Sequence, residues 1–348
     1  MRVTTDDLVE YDGKYYFVPI ECTILCKIGS NNILEIVDRI PGEYIYNRDS
    51  FSKLIIYDDV LFMIPKNGEK LHSFNLKSKE WLTYDLGCSN VKYKFMDALI
   101  WDNKIVMIGC YVPNLVLFDL NTQEMKFLNF PYEPFQEIQN KKKDAYYRRG
   151  HYLAGDNLYL ASSLTNEVCE INLKNQNIKR YTVGNENNTY DGLLYDGGFF
   201  WISPRNRSNI VKWNGDDKYI NISLPRDENA SNCLCLEPIS VESLIMIPAY
   251  GANNTILLER DGTINSLKSQ KYIVVKKIGN ITVSITNSGF MEIISKSTKK
   301  EIELILNQES NVFAFFSKMD YEIMKTNIEM EKDIYSLKDF LNSIEKYE

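Results

Sequence analysis

The stretch Lys53–Leu86, KLIIYDDVLFMIPKNGEKLHSFNLKSKEWLTYDL, divides into four short runs, KLIIY, VLFMIP, KLHSFNL and EWLTYDL, with turn residues between them. Four runs of about five residues, rich in β-branched and aromatic side chains, predict one antiparallel meander of four strands. Asp58-Asp59 suits the first hairpin, because Asp, Asn and Gly tolerate the positive φ of tight primed turns. Pro65 ends the second run, where a strand leaves into a loop and no ladder donor is needed.

The same order recurs along the chain. Ala98–Phe130 turns first at Asp102-Asn103 and last at Asn121-Thr122; His151–Val183 turns at Asp156-Asn157; Leu193–Leu224 turns at Asp196-Gly197. Three weaker copies lie at Leu8–Ile40, with Asp12-Gly13, at Cys233–Leu267, and at Tyr272–Leu306, with Gly279-Asn280. The second run again meets proline at Pro19, Pro204 and Pro248. Copies that start about 35 to 55 residues apart have the period of propeller blades, and each blade needs neighbours to bury its two faces. An ordinary β-sandwich does not require one grammar seven times. The expected fold is therefore an all-β propeller of four-stranded antiparallel blades, seven in number, or six if the copy at 233–267, which lacks the first turn pair, is misread.

A third run closing on Phe-Asn-Leu or Phe-Asp-Leu, followed by a fourth that opens on an aromatic, resembles the kelch-like repeat. LHSFNLKSKEW (71–81) and LVLFDLNTQEMKF (115–127) carry the resemblance, which covers about residues 5–306. It implies fold only. Kelch repeats usually place Gly-Gly after the second strand, and this chain has Ile-Pro or Val-Pro there, so it resembles a divergent relative.

Composition narrows the function classes. With 40 Lys+Arg against 47 Asp+Glu, the net charge of −7 lacks the positive excess that phosphate neutralisation requires, so nucleic acid is not an expected partner. Two histidines in 348 residues leave little for metal or general-base chemistry. His72 falls in a third, outer run and His151 at the start of a first, inner run, so the paired histidines of copper radical oxidases are not expected. Sialidase boxes, WD40 signatures, Walker loops and nucleophile elbows are missing. Cys22-x₃-Cys26 and Cys233-x-Cys235 each place two thiols on one strand face and read as buried reduced cysteines rather than zinc ligands. No cofactor and no metal are expected. The segment Met1–Leu8 carries Asp6 and Asp7 and no apolar run of signal-peptide length, and no stretch approaches a membrane span, so a soluble cytoplasmic protein is expected.

The tail differs in kind. Residues 1–316 form the expected propeller domain and 317–348 a helical tail, where Ile323, Met330, Ile334, Leu337, Leu341 and Ile344 recur at threes and fours. That amphipathic helix either packs on the propeller or, as two heptads, docks a partner or a second copy. VFAFF at 312–316 is the expected latch of the ring.

Function in a propeller sits in the loops around one mouth of the channel, those entering each first strand and those between second and third strands. These loops hold Tyr44, Tyr46, Arg48 and Asp49; Tyr93, Lys94 and Asp97; Tyr111 and Asn114; Tyr190 and Asp191; Arg205, Asn206 and Arg207; and Tyr250, Asn253 and Asn254. The longest insertion, KKKDAYYRRGH (141–151), adds Tyr146, Tyr147, Arg148, Arg149 and His151. Tyrosines with Arg, Asp and Asn suit a polar ligand with flat apolar faces, because stacking and multidentate hydrogen bonding act together. The expected function is a non-catalytic binding or scaffold propeller whose rim recognises a protein partner or a glycan. The alternative is a carbohydrate-active enzyme, an epimerase, lyase or hydrolase acting on an anionic sugar. There the site would be Arg148, Arg149, His151 and Asp191, with the arginines fixing an anionic substrate and His151 or Tyr147 moving protons. Convergence of His151, Arg149 and a carboxylate in a closed pocket favours that alternative.

Overall fold

The computed structural model describes residues 1–29, 31–88, 91–205, 209–224, 235–295 and 298–306. It shows seven four-stranded sheets, each built from consecutive strands paired antiparallel. The blades span 8–39, 51–85, 95–128, 152–182, 190–222, 239–268 and 272–303. The count of seven holds, and the weak copy in the sixth position is a true blade. Its missing turn pair is Glu242-Ser243, with Glu242 in the left-handed region at φ 54°. Two first turns sit one residue from the expected place, at Gly155-Asp156 and Gly197-Gly198, because glycine takes positive φ at the least cost.

The Phe-Asn-Leu phrase has a local cause. Asn75 Oδ1 accepts the amides of Lys77 and Ser78, both at 2.9 Å. Asp119 does the same for Asn121 and Thr122, and Asn172 for Lys174 and Asn175. The side chain thus caps the turn between third and fourth strands. The following leucine amide ties that turn to the first hairpin, from Leu76 to the Asp59 carbonyl, Leu120 to Asn103 and Leu173 to Asp156.

Burial falls from the inside outward. Second and third strands such as Val60–Pro65 and Leu115–Asp119 are buried on both faces, as their unbroken apolar runs require, whereas Trp81–Asp85 in the fourth position is partly exposed. A separate apolar cluster fills each interface from the second blade to the seventh. The largest cluster closes the ring by packing Val3, Leu8 and Ile24 of the N-terminal region with Val283, Ile285 and Leu304. Backbone hydrogen bonds latch the same seam: the Val3 amide reaches the Leu304 carbonyl at 3.0 Å, and the Leu306 amide reaches the Met1 carbonyl at 2.8 Å. The expected latch at 312–316 and the helix at 317–348 lie outside the described residues.

Cys22 and Cys26 are buried free thiols, and burial pushes the Cys22 thiol up to about 12; Cys235 is buried as well, and Cys233 lies outside the described residues. Among the described residues a single short α-helix, Gln136–Lys142, precedes the fourth blade. No helix among the described residues is long and apolar enough to cross a membrane.

Candidate functional site

First strands touch between the first and second, second and third, fourth and fifth, and sixth and seventh blades, and their starting ends gather at one mouth of the channel. In four blades the ladder slips by one residue there: at Phe51/Lys53, opposite Ile108/Gly109 in the third blade, at Tyr190/Gly192 and at Tyr272/Val274. Such bulges re-aim side chains where a strand begins. They set Lys53 and Asp97, each the third residue of its strand, at the mouth. The N-terminal segment delivers Asp6 and Asp7, and the links before the fourth and sixth blades deliver Arg149, His151 and Glu237.

A chain of ion pairs joins these groups. Lys53 Nζ donates to Asp97 Oδ1 at 3.0 Å, and His151 Nδ1 donates to Asp97 Oδ2 at 2.6 Å. Burial alone would raise the Asp97 carboxyl, but Lys53 and then His151 hold it well below the usual carboxylate range. Burial pulls the Lys53 ammonium down, yet Asp97, Asp7 and Glu237 together push it higher than an ordinary lysine. Asp6 bridges two cations, Lys66 Nζ at 2.5 Å and Arg149 Nη2 at 3.1 Å, and Lys66 also donates to Asp49 at 2.9 Å. Asp7 takes the Lys276 ammonium at 2.8 Å and the Leu54 amide at 2.9 Å.

Glu237 stands apart. Its carboxylate makes no hydrogen bond or ion pair with a described residue, and burial is the main cause that raises its pKa, with Lys53 opposing. Gly192 lets its backbone approach closely, since a Cβ there would lie 2.5 Å from Glu237 Cα, and Gly150 borders it, where a Cβ would lie 3.1 Å from Glu237 Cβ. These groups surround a small, partly open cavity lined by Asp6, Asp7, Lys53, Arg149, Glu237 and Lys276, with Ser52, Met96, Val274 and Val275.

A second network lies beside the first. Arg205 grips Asp144 with two nitrogens, at 2.8 and 2.6 Å, and its third reaches Asp191 at 3.5 Å. Arg148 donates to the same Asp191 oxygen at 3.1 Å. The arginines of the basic loop are thus matched by carboxylates of this chain, while Lys141, Lys142 and Lys143 remain exposed.

On the rim, Tyr44, Tyr46, Tyr93 and Tyr250 are 39%, 63%, 38% and 42% exposed, and Arg48 is exposed beside Tyr46. Lys66 sits 5.4 Å from the Tyr93 ring centroid and Arg149 5.9 Å from that of Tyr250. Tyr111 packs 6.3 Å from Tyr93.

Of the residues expected at the rim, the structure brings Asp97 to His151, Arg148 to Asp191 and Arg205, and Arg149 to the cavity. Tyr146 and Tyr147 are not rim residues: they are 5% and 2% exposed, packed edge-on around Tyr132. Tyr190 is buried too, its hydroxyl donating to the Val183 carbonyl. In each case the ring has an apolar core to fill between blades. Arg207 lies outside the described residues. His72 is buried in the second blade between Glu43 and Thr83. Sequence reasoning missed Asp6, Asp7, Lys53, Lys66, Glu237 and Lys276. A polar residue third in an otherwise apolar first strand, as in FSKLIIY and FMDALIW, was the available signal for Lys53.

No protein-family model matches the chain, and no curated protein matches it. Among solved structures, a streptogramin B lyase superposes with a TM-score of 0.61 at 13% identity, covering 87% of this chain and 94% of that one. A virginiamycin B lyase from Staphylococcus aureus gives 0.58 at 10% identity, covering 75% and 87%. BamB from Moraxella catarrhalis gives 0.55 at 11% identity, covering 84% and 97%. At these identities the likeness is one of fold: the chain is a seven-bladed β-propeller.

Proposed function

We propose that the protein is a non-catalytic binding propeller whose tyrosine-bearing mouth recognises a protein partner or a glycan. The observation that carries this reading is the relay Tyr93, Lys66, Asp6, Arg149, Tyr250. One buried carboxylate holds two cations, and each cation backs an exposed ring. Rings fixed in this way lose little freedom on binding, and cation–π contact keeps the polar groups beside them. The matched charges support binding over turnover of an anionic sugar, because Arg148, Arg149 and Arg205 already meet carboxylates of the chain. The free cysteines fit a reducing, cytoplasmic setting. The Phe-Asn-Leu and Phe-Asp-Leu phrases support a divergent kelch-like origin for the repeat.

The test is a glycan array and a partner capture experiment with wild type beside Tyr93→Ala/Tyr250→Ala. A ligand bound by wild type and lost by the variant supports the reading and says which class it is; equal binding by both removes it.

One observation favours the enzymatic reading. With Nδ1 donating to Asp97, His151 Nε2 has no hydrogen-bond partner among the described residues, the arrangement in which a carboxylate orients an imidazole base. That reading predicts slow turnover of uronate-containing oligosaccharides, abolished in His151→Ala. Absence of any turnover by wild type disposes of it.

A further inference from the structure

We propose that three loops meeting at the mouth beside the second blade form a subsite for a neutral sugar, with Tyr93 as its stacking ring and Asn67 and Asp49 as its hydroxyl clamp. The inference rests on the mouth being a binding surface and names the class of ligand that this part of it takes.

Backbone strain marks the place. Among the described residues, twelve other than glycine have positive φ. Nine of them close hairpins and Lys143 caps the short helix, so a turn explains each. The two left are Asp49, at 55°, and Tyr93, at 51°, and both stand on mouth loops. Tyr93 is the one aromatic residue of the twelve, and bulky side chains are uncommon in the left-handed region. A glycine would make the same bend at less cost. The ring is therefore held there against local preference, as happens where a side chain has to face a ligand.

The two strained positions are joined through one asparagine. Asn67, in the loop after Pro65, donates its backbone amide to the Asp49 carbonyl at 3.2 Å and accepts the Tyr93 amide on Oδ1 at 3.0 Å. Lys66 beside it donates to Asp49 Oδ1 at 2.9 Å and lies 5.4 Å from the Tyr93 ring centroid. The Tyr111 amide reaches the Tyr93 carbonyl at 3.2 Å, and the Lys94 amide reaches the Lys66 carbonyl at 2.8 Å. The links before the second and third blades are thus tied to the loop after Pro65, and the clamp is shaped before a ligand arrives.

Several groups of this knot are left unused. Asn67 Nδ2 and Asp49 Oδ2 have no hydrogen-bond partner among the described residues, and both are open to solvent. The Tyr93 ring is 38% exposed. An amide donor, a carboxylate acceptor and a ring face side by side match a sugar: one hydroxyl donates to Asp49, its neighbour accepts from Asn67, and the C–H face covers Tyr93. Charge selects a neutral sugar. The Lys66 side chain is 7% exposed and already shared between Asp6 and Asp49, so an anionic sugar meets the unused Asp49 oxygen rather than that ammonium. Arg48 is the exposed cation next in sequence to Asp49, and an anionic probe tests whether it recruits an anion instead.

The test is saturation-transfer NMR of the full-length protein with lactose, cellobiose, mannobiose and di-N-acetylchitobiose as neutral probes and digalacturonate as the anionic one. At least one neutral disaccharide binds, and its affinity falls by about tenfold or more in Tyr93→Asn and in Asp49→Asn. Asparagine tolerates positive φ, so both variants keep the path of their loops, and circular dichroism and the urea midpoint check that they are folded. Digalacturonate binds about tenfold more weakly than the best neutral probe, or not at all. The proposal is overturned if no neutral disaccharide binds wild type, if digalacturonate binds as well as the best of them, or if both variants bind like wild type. Two outcomes overturn this subsite and leave the mouth as the binding surface: a sugar lost in Tyr250→Ala but kept in Tyr93→Asn, or a captured protein partner lost in Tyr93→Ala/Tyr250→Ala with no sugar bound.

Discussion

Replacing Asp97 by asparagine removes one charge from the channel wall and changes almost no volume. Asp97 is 2% exposed and accepts from Lys53 at 3.0 Å, from His151 at 2.6 Å and from the Ala98 amide at 2.9 Å. In D97N, Lys53 keeps its charge but is left with the more distant Asp7 and Glu237. Breaking a buried ion pair costs about 3–5 kcal/mol, and because the asparagine carbonyl still accepts one hydrogen bond, the lower figure of about 3 kcal/mol applies. An unfolding entropy near 2.1 cal/mol/K per residue, over a propeller of about 300 residues, converts that into a fall in Tm of about 5 °C.

The pH dependence follows from the sign of the shift. The folded-state pKa of Asp97 is depressed, so its contribution is fully present above the ordinary carboxylate value of about 4 and is lost as pH falls below it toward the depressed value. Urea unfolding of both proteins from pH 7 down to pH 3 is the assay. The gap between wild type and D97N is widest at pH 7 and narrows below about pH 4. A variant within about 0.5 kcal/mol of wild type at pH 7, the range of neutral surface changes, refutes the argument, and so does a gap that does not change with pH.

Three further predictions concern the fold. Gly192→Ala puts a methyl 2.5 Å from Glu237 Cα and destabilises by about 1–3 kcal/mol, whereas Gly198→Ala, at φ 82° with open space around it, pays backbone strain of about 1 kcal/mol; their urea midpoints rank accordingly. Val3→Ala, in the cluster that closes the ring, lowers stability by about 1–3 kcal/mol, while Ile305→Ala, half exposed at the same seam, stays within about 0.5 kcal/mol. Asn75→Ala removes the cap of two amides and costs about 1–2 kcal/mol, with Asn75→Asp recovering most of it, since Asp119 fills the same role in the third blade.

The fold was legible because each blade repeats local chemistry. An Asp, Asn or Gly pair makes the first turn, an apolar run makes the second strand, and an Asn or Asp caps the last turn. Reading failed by one residue at Gly155 and Gly197, and missed Glu242, where a residue without a turn signature adopts positive φ. The candidate site was legible in part. Strand order brings Asp97, Arg149 and His151 together at one mouth. What stayed hidden is pairing at long range. Asp6 joins Lys66, 60 residues away, to Arg149, 143 residues away, and no local pattern encodes such a bridge. Tyr146 and Tyr147 show the converse: beside two arginines they read as ligand groups, yet the interface between the third and fourth blades needed their rings.

The central claim, that binding occurs at the tyrosine-bearing mouth, is tested most directly by hydrogen–deuterium exchange of the protein with and without the ligand or partner found in the screen. The account predicts protection in the loops around 44–50, 93–97, 111–114 and 250–254. Protection confined to the opposite mouth, at the turns 12–13, 58–59, 102–103 and 279–280, or to the outer fourth strands, would contradict it.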